Sequence, residues 1–231
     1  MTKFRKFTKM LGFTLAETLI VMGIIGLVAA LTLPNLNSST GEKEIVAKVK
    51  KIYQNLNDAL GRAEAVYGPY DEWFVNDGEN AFKMTTRAGE RITEFIKTSK
   101  NCGQTANQGC FSDTDVGDDD YKFITVDGTS IGFRVKVNND TSIFVDIDGP
   151  NKGSNTKGKD IFSFVVDWEN HTIAPDNTHL TFENLVKECY NGNSATTWII
   201  KYDNADYLQF VDKTGKCKNG NTVTESHPRC K

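Results

Sequence analysis

Apolar residues are spread unevenly along this chain. From Thr18 to Gly41 no residue is charged, and most of Leu19–Leu33 is Leu, Ile, Val, Met, Ala or Gly. A helix over residues 13–36 would span roughly 36 Å, enough to cross the hydrocarbon core of a bilayer. Beyond it the pattern becomes amphipathic. Ile45, Val49, Ile52, Leu56, Leu60 and Ala63 recur at helical spacing, while Lys48, Lys50, Lys51, Asn55 and Asp58 fill the opposite face. Gly68-Pro69 ends this stretch. Asn37–Gly41 (NSSTG) lies between the two halves and is a weak helix former, so it reads as a flexible joint or a locally melted turn.

The next segments have shorter periods. A second helix is expected from about Glu79 to Lys100, with Ile92, Phe95, Ile96 and Ser99 on one side. The loop Asn101–Asp120 follows and contains Asp113, Asp115, Asp118, Asp119 and Asp120. Tyr121–Val126 and Ile131–Val137 then flank Asp127-Gly128, a strong hairpin signal. Ser142–Ile147 and Ile161–Asp167 complete an antiparallel sheet of about four strands. The predicted class is α+β, with the long N-terminal helix packed on that sheet. Thr181–Cys189 starts like a capped helix, although Glu or Gln is absent at the ideal position. Residues 195–211 read equally as a short helix or a strand pair.

Composition sharpens this picture in three ways. The chain has 231 residues, of which 39% are hydrophobic and 25% charged. That suits one or two folded domains and argues against disorder. The formal net charge of −3 argues against nucleic acid as a partner of the head, because phosphate binding needs concentrated Lys and Arg. The N-terminus departs from the average: Lys3, Arg5, Lys6 and Lys9 stand there without an acid. By the positive-inside rule this basic flank stays in the cytoplasm and the bulk of the chain lies on the far side.

That topology places Cys102, Cys110, Cys189, Cys217 and Cys230 in an oxidising space, where disulfides are the default. Spacing favours Cys102–Cys110 and Cys217–Cys230, one pairing among several, and leaves Cys189 single. Zinc is disfavoured, since no Cys-x-x-Cys is present and His227 stands alone beside Cys230. Calcium is a candidate cofactor at Asp146, Asp148 and Asp160, because Asp146-Ile147-Asp148-Gly149 opens like an acidic calcium loop and Asp160 closes it. The EF-hand spacing fails there, with no Glu at the twelfth position. The acidic stretch 113–120 is a second, weaker candidate. No nucleophile elbow, phosphate loop or zinc-protease motif occurs, so no enzyme is expected. His171, His179 and His227 are scattered and read as surface residues. Trp73, Trp168 and Trp198 read as core or interface residues.

Glu17 decides how the N-terminus is read. An ordinary signal peptide, ending at small residues such as Ala29 and Ala30, has no use for a carboxylate at the start of its apolar run. In a plain anchor it costs about 2.5–3.5 kcal/mol at mid-membrane unless it has a partner. The block Gly12-Phe13-Thr14-Leu15-Ala16-Glu17, followed by the apolar run, resembles the class III signal of type IV pilins and type II secretion pseudopilins. VDIDGPNKGSNTKGKDIF, ending at Phe162, is similar to a stretch in large bacterial prepilin-like proteins.

The resemblance implies a leader (1–12), a transmembrane and assembly helix (13–36) and a globular head (37–231) that includes the amphipathic half of the long helix. It implies cleavage by prepilin peptidase between Gly12 and Phe13, and methylation of Phe13. Glu17 matches the family's register glutamate and Pro34 its helix-kinking proline. The implied function is a structural subunit, a minor pilin or pseudopilin, of a type IV pilus-like or type II secretion filament. Its partners would be other subunits, the inner-membrane assembly machinery and, before assembly, membrane lipid. Its location would be the bacterial inner membrane, then a periplasmic or cell-surface filament. Losing the four basic leader residues would take the formal charge from −3 to −7. The alternative is a secreted or anchored ligand-binding domain behind an ordinary signal peptide, using the acidic loops and calcium.

Overall fold

A computed structural model describes residues 14–74, 80–104, 109–111, 116–136, 140–153 and 155–230, with the side chains of 29–40 outside the description. The chain forms two compact units, one ending at Gly41 and one beginning at Glu42. Helix α1 runs from Leu15 to Tyr67 and contributes to both. In the first unit its described side chains are all exposed, from Leu15 to Val28. Among the described residues no helix is long and apolar enough to cross a membrane. The run Leu15–Val28 accounts for about 21 Å of helix, against a hydrocarbon core of about 30 Å.

The second unit is α+β. Six strands form one antiparallel sheet in sequential order: β1 (Thr98–Gly103), β2 (Tyr121–Thr125), β3 (Ser130–Val135), β4 (Thr141–Asp146), β5 (Ile161–Asp167) and β6 (Thr172–Pro175). Period-2 alternation divides the strands between two faces. Phe123, Ile131, Phe133, Ile143, Val145, Phe162 and Phe164 join the main core. The buried stripe of α1, Val49, Ile52, Leu56, Ala59, Leu60 and Ala63, joins the same core. Asn57 clamps the helix to β6, accepting from the Ile173 amide (2.9 Å) and donating to its carbonyl (3.3 Å). Helix α2 (Ala81–Thr93) packs close to the sheet at Gly89, where a Cβ would lie 2.2 Å from the Tyr121 ring.

The opposite face carries Lys122, Gly132, Arg134 and Phe144. A small apolar cluster of Phe111, Val116 and Ile161, with Phe144 packed on it, covers part of it. After β6 come α3 (Phe182–Tyr190), α4 (Ala195–Tyr202), a 3-10 turn (Asp206–Gln209) and irregular chain. Trp198 is fully buried among Phe182, Tyr202, Tyr207 and Phe210, and its indole N–H donates to Asn204 (2.9 Å).

Several expectations need correction. Asn37–Gly41 is helical, because extending a helix through poor formers costs far less than starting one. The helix expected to reach Lys100 ends at Thr93, and Thr98–Gly103 is the edge strand β1. Thr98 and Ser99 are β-formers or neutral, and pairing with β2 outweighs the continuing helical pattern. The sheet has six strands rather than about four, since β1 is polar with little alternation and β6 is only four residues long. Residues 195–211 resolve as helix α4 and a 3-10 turn. Trp73 and Trp198 are core residues, but Trp168 is 44% exposed. All three histidines are exposed.

Candidate functional site

Three places concentrate the residues singled out from the sequence. The first is the start of α1. Thr14 precedes the helix, and Glu17 lies in its first turn. The Glu17 carboxylate accepts from the Thr14 amide (2.9 Å) and hydroxyl (2.7 Å), while the Glu17 amide donates to the Thr14 hydroxyl (3.3 Å). This is a reciprocal capping box, Thr-x-x-Glu. The Thr-x-x-Glu spacing is legible in the sequence, beside an apolar run that also suits a membrane role. Glu17 therefore has an internal partner before any neighbour is invoked. Gly12 and Phe13 lie outside the described residues. The backbone of α1 continues as helix through Pro34, whose side chain lies outside them too.

The second place is the acidic loop before β2. Asp113 and Asp115 lie outside the described residues. Asp120 is almost fully buried and receives a forked pair of hydrogen bonds from Arg134, Nε at 2.7 Å and Nη2 at 2.5 Å. Its Oδ2 also accepts from the Gly117 amide (2.8 Å). Lys122 is fully buried, and its ammonium donates to the carbonyls of Gly117 (2.7 Å), Asp120 (2.9 Å) and Asp118 (3.3 Å). Burial pulls the lysine's pKa below the usual range, opposed by the charges of Asp120, Asp118 and Asp119. Lys122 thus occupies a cage of carbonyl oxygens of the kind a hard cation would use. The guanidinium of Arg134 also stacks over Phe144 at 5.1 Å.

The third place is the β4–β5 connection, which holds Asp146, Asp148 and Asp160. Strand register pairs Asp146 with Ile161, and the Ile147 amide donates to the Asp160 carbonyl (2.9 Å), so both ends of the turn are pinned together. Asp146 is fully buried. Its Oδ1 accepts from the amides of Gly149 (2.9 Å) and Asp148 (3.2 Å). Its Oδ2 is buried and meets no donor, and the same holds for Asp148 Oδ1. Burial first, and then the adjacent Asp148 carboxyl, push the Asp146 pKa up to about 7, although the two amides pull the other way. Asp160 Oδ2 accepts from the Thr156 amide (3.2 Å). Gly153 has φ +70°, and a Cβ there would sit 2.7 Å from Asp148 Oδ2 and 3.2 Å from Asp160 Oδ2. Among the described residues, however, no three His, Cys, Asp or Glu side chains stand in ready metal-holding geometry.

Both disulfides favoured by spacing are present, Cys102–Cys110 and Cys217–Cys230. Cys189 is free and buried, its thiol pushed upward by burial. The second bridge closes the C-terminal segment beside Asp206, which accepts from the Cys230 amide (2.7 Å). Tyr207 donates to the Gly158 carbonyl (2.6 Å), tying this segment to the β4–β5 turn. Sequence reasoning missed both Asp206 and Tyr207, since neither belongs to a periodic pattern. No family model, curated protein or solved structure matches the chain.

Proposed function

We propose that the chain is a pilin-like subunit of a bacterial filament, a minor pilin or pseudopilin. It is cut after Gly12, methylated at Phe13, and polymerised through the first part of α1. One observation supports this reading above the rest: a single continuous helix carries two different chemistries. From Leu15 to Val28 large apolar side chains are exposed all round, with Leu15 80%, Met22 70% and Leu27 63% accessible. From Val49 to Ala63 the helix buries one stripe against its own head. A helix apolar on every side needs lipid or other helices around it. Burying that surface would contribute about 25 cal/mol per Å² to cohesion. The membrane-spanning role of 13–36 belongs to this proposal.

Glu17 then serves in two settings. Within one chain it caps its own helix through Thr14. In the filament it meets the free amine of a neighbouring Phe13, and apolar surroundings strengthen that pair and penalise a wrong register.

N-terminal sequencing and mass measurement of the mature protein test the cut. A start at methylated Phe13 is expected, whereas a start near Leu31 would replace this reading with an ordinary secreted domain. Glu17→Gln separates the two roles of the carboxylate, because Gln retains the capping box and removes the charge. At equal expression, Glu17→Gln and Glu17→Ala should both lower incorporation into filaments at least tenfold. If Glu17→Gln assembles like the wild type, the carboxylate acts only as a cap.

A further inference from the structure

We infer that the end of α1 and the β5–β6 turn form a proton-sensitive latch. A protonated His171 on the Glu64 carboxylate holds the last strand of the sheet to the helix, and loss of the proton loosens it. The latch holds or fails independently of the filament reading.

The geometry begins on α1. Asn57 and Glu64 lie about two turns apart, so they share one face of the helix. Asn57 takes the amide and the carbonyl of Ile173 (2.9 and 3.3 Å), main-chain groups of a strand with β5 on one side and no further strand on the other. Glu64 Oε1 accepts from the Tyr70 amide (2.9 Å) and from His171 Nδ1 (3.0 Å). One oxygen thus ties the end of α1 to the 3-10 turn that follows it (Tyr70–Phe74) and to the turn before β6. The Glu64 side chain is only 14% exposed, whereas that of His171 is 50% exposed. The anion is sheltered, while the ring exchanges its proton with water. Among the described residues His171 is the only basic side chain paired with Glu64. Asp71 adds negative charge from the 3-10 turn. Asp167 and Glu169 stand in the ring's own turn, where Asp167 is engaged by the main-chain amide (3.1 Å) and side-chain amide (2.8 Å) of Asn170.

The hydrogen bond to Glu64 and then its charge raise the His171 pKa, with burial opposing them. A raised histidine pKa means that the contact contributes fully below the unfolded value near 6.5 and is lost as pH rises through the folded value. The neutral ring can still donate from Nδ1, but without the charge that strengthens such a bond. His171 also sits at φ +53°, a left-handed conformation that a residue with a Cβ adopts at a cost, so a weakened contact lets the turn relax. The latch thereby governs the outer edge of β6 and the turn that carries the half-exposed Trp168.

The test uses the full-length protein in detergent. Nuclear magnetic resonance of labelled histidine rings, titrated from about pH 5.5 to about pH 8.5, gives the midpoint of each ring, and His171→Asn assigns the signal. The His171 midpoint should lie above about 6.5 and fall towards it in Glu64→Gln. That variant keeps an acceptor for the Tyr70 amide, so the end of α1 stays closed. Hydrogen exchange, corrected for its intrinsic pH dependence, reads the latch itself. Protection of the β5–β6 turn and β6 should fall about two- to fivefold across that pH range, while β2 and β3 stay constant. In His171→Asn and Glu64→Gln the pH response should disappear. Asn tolerates a left-handed backbone, so His171→Asn removes the proton and spares the turn. A His171 midpoint at or below about 6.5 overturns the proposal. So does equal protection of β6 at both ends of the range in the wild type. A pH response that survives in His171→Asn overturns it as well, since another group would then carry the proton.

Discussion

The head carries two acidic loops that look alike in sequence and differ in how their charge is met. The loop before β2 brings its own cations. Lys122 and Arg134 stand on alternate-face positions of neighbouring strands, so both point under the loop that holds Asp118, Asp119 and Asp120. Asp120 is forked by a guanidinium, and the loop carbonyls surround an ammonium. The β4–β5 turn has fewer carboxylates, and among the described residues no lysine, arginine or histidine is paired with Asp146 or Asp148. Counting aspartates ranks the loops wrongly, because what matters is which basic residues the sheet delivers to each. Among the described residues Asp120 is fully paired, whereas one oxygen each of Asp146 and Asp148 meets no donor.

Breaking the first loop should have the largest effect. Lys122→Met removes the ammonium from three carbonyls, of which that of Gly117 keeps the Asp120 amide (3.3 Å), and leaves Asp120 with less positive charge nearby. Unfolding in urea should show a loss of about 3 kcal/mol. A loss under about 1 kcal/mol would mean that the two loops differ less than their partners suggest.

The next effect concerns the brace on the same loop. The Cys102–Cys110 bridge closes a short loop with a sequence separation of 8. Replacing both cysteines with serine should cost about 2.5 kcal/mol by the chain-entropy relation. Amide exchange in the β4–β5 turn should be unaffected, which hydrogen exchange on the double variant would check. Faster exchange there would show that the loops are mechanically linked.

The smallest effect lies on the β2–β3 hairpin, at a third acidic site that is partly open to water. Burial alone would raise the Asp127 pKa. Hydrogen bonds from Lys51 (2.8 Å) and Thr125, with the charge of Lys51, instead hold it down at about 2. A depressed carboxylate stabilises the fold above its unfolded pKa near 4 and loses that contribution as pH falls through about 2. Because Lys51 and Asp127 are largely exposed, Asp127→Asn should cost under about 1 kcal/mol at pH 7. The difference from wild type should shrink in unfolding curves as pH falls from about 4 through about 2. A difference that persists there would assign the effect to the turn rather than to the ion pair.

Much of the helical part was legible in the sequence. The stripe Val49, Ile52, Leu56, Leu60 and Ala63 is buried as its spacing requires, and α1 ends at Tyr67, where Gly68 turns to φ +84° ahead of Pro69. The central strands and the Asp127-Gly128 hairpin followed from alternation and turn chemistry. The edge strands β1 and β6 did not, because an edge strand is defined by its neighbour and polar residues serve there as well as apolar ones. The capping role of Glu17 is written in Thr14-x-x-Glu17, and the same carboxylate also fits a second role at the head of an apolar run. At the β4–β5 turn the residues Asp146, Asp148 and Asp160 could be named in advance, while the burial that makes Asp146 unusual could not.

The sequence by itself determined the local matters: where α1 stops, which of its residues face the core, which strands alternate, and which cysteines lie close enough to pair. Each of these depends on interactions spanning a few residues, so the chain carries them directly. Only the tertiary structure decided how charge is neutralised. Lys122 and Arg134 meet Asp120 and its loop because β2 and β3 are paired in register. Asp146 is cut off from water because the turn folds over it. Solvation and the partners of a charge are properties of the packed molecule, and no count along the chain contains them.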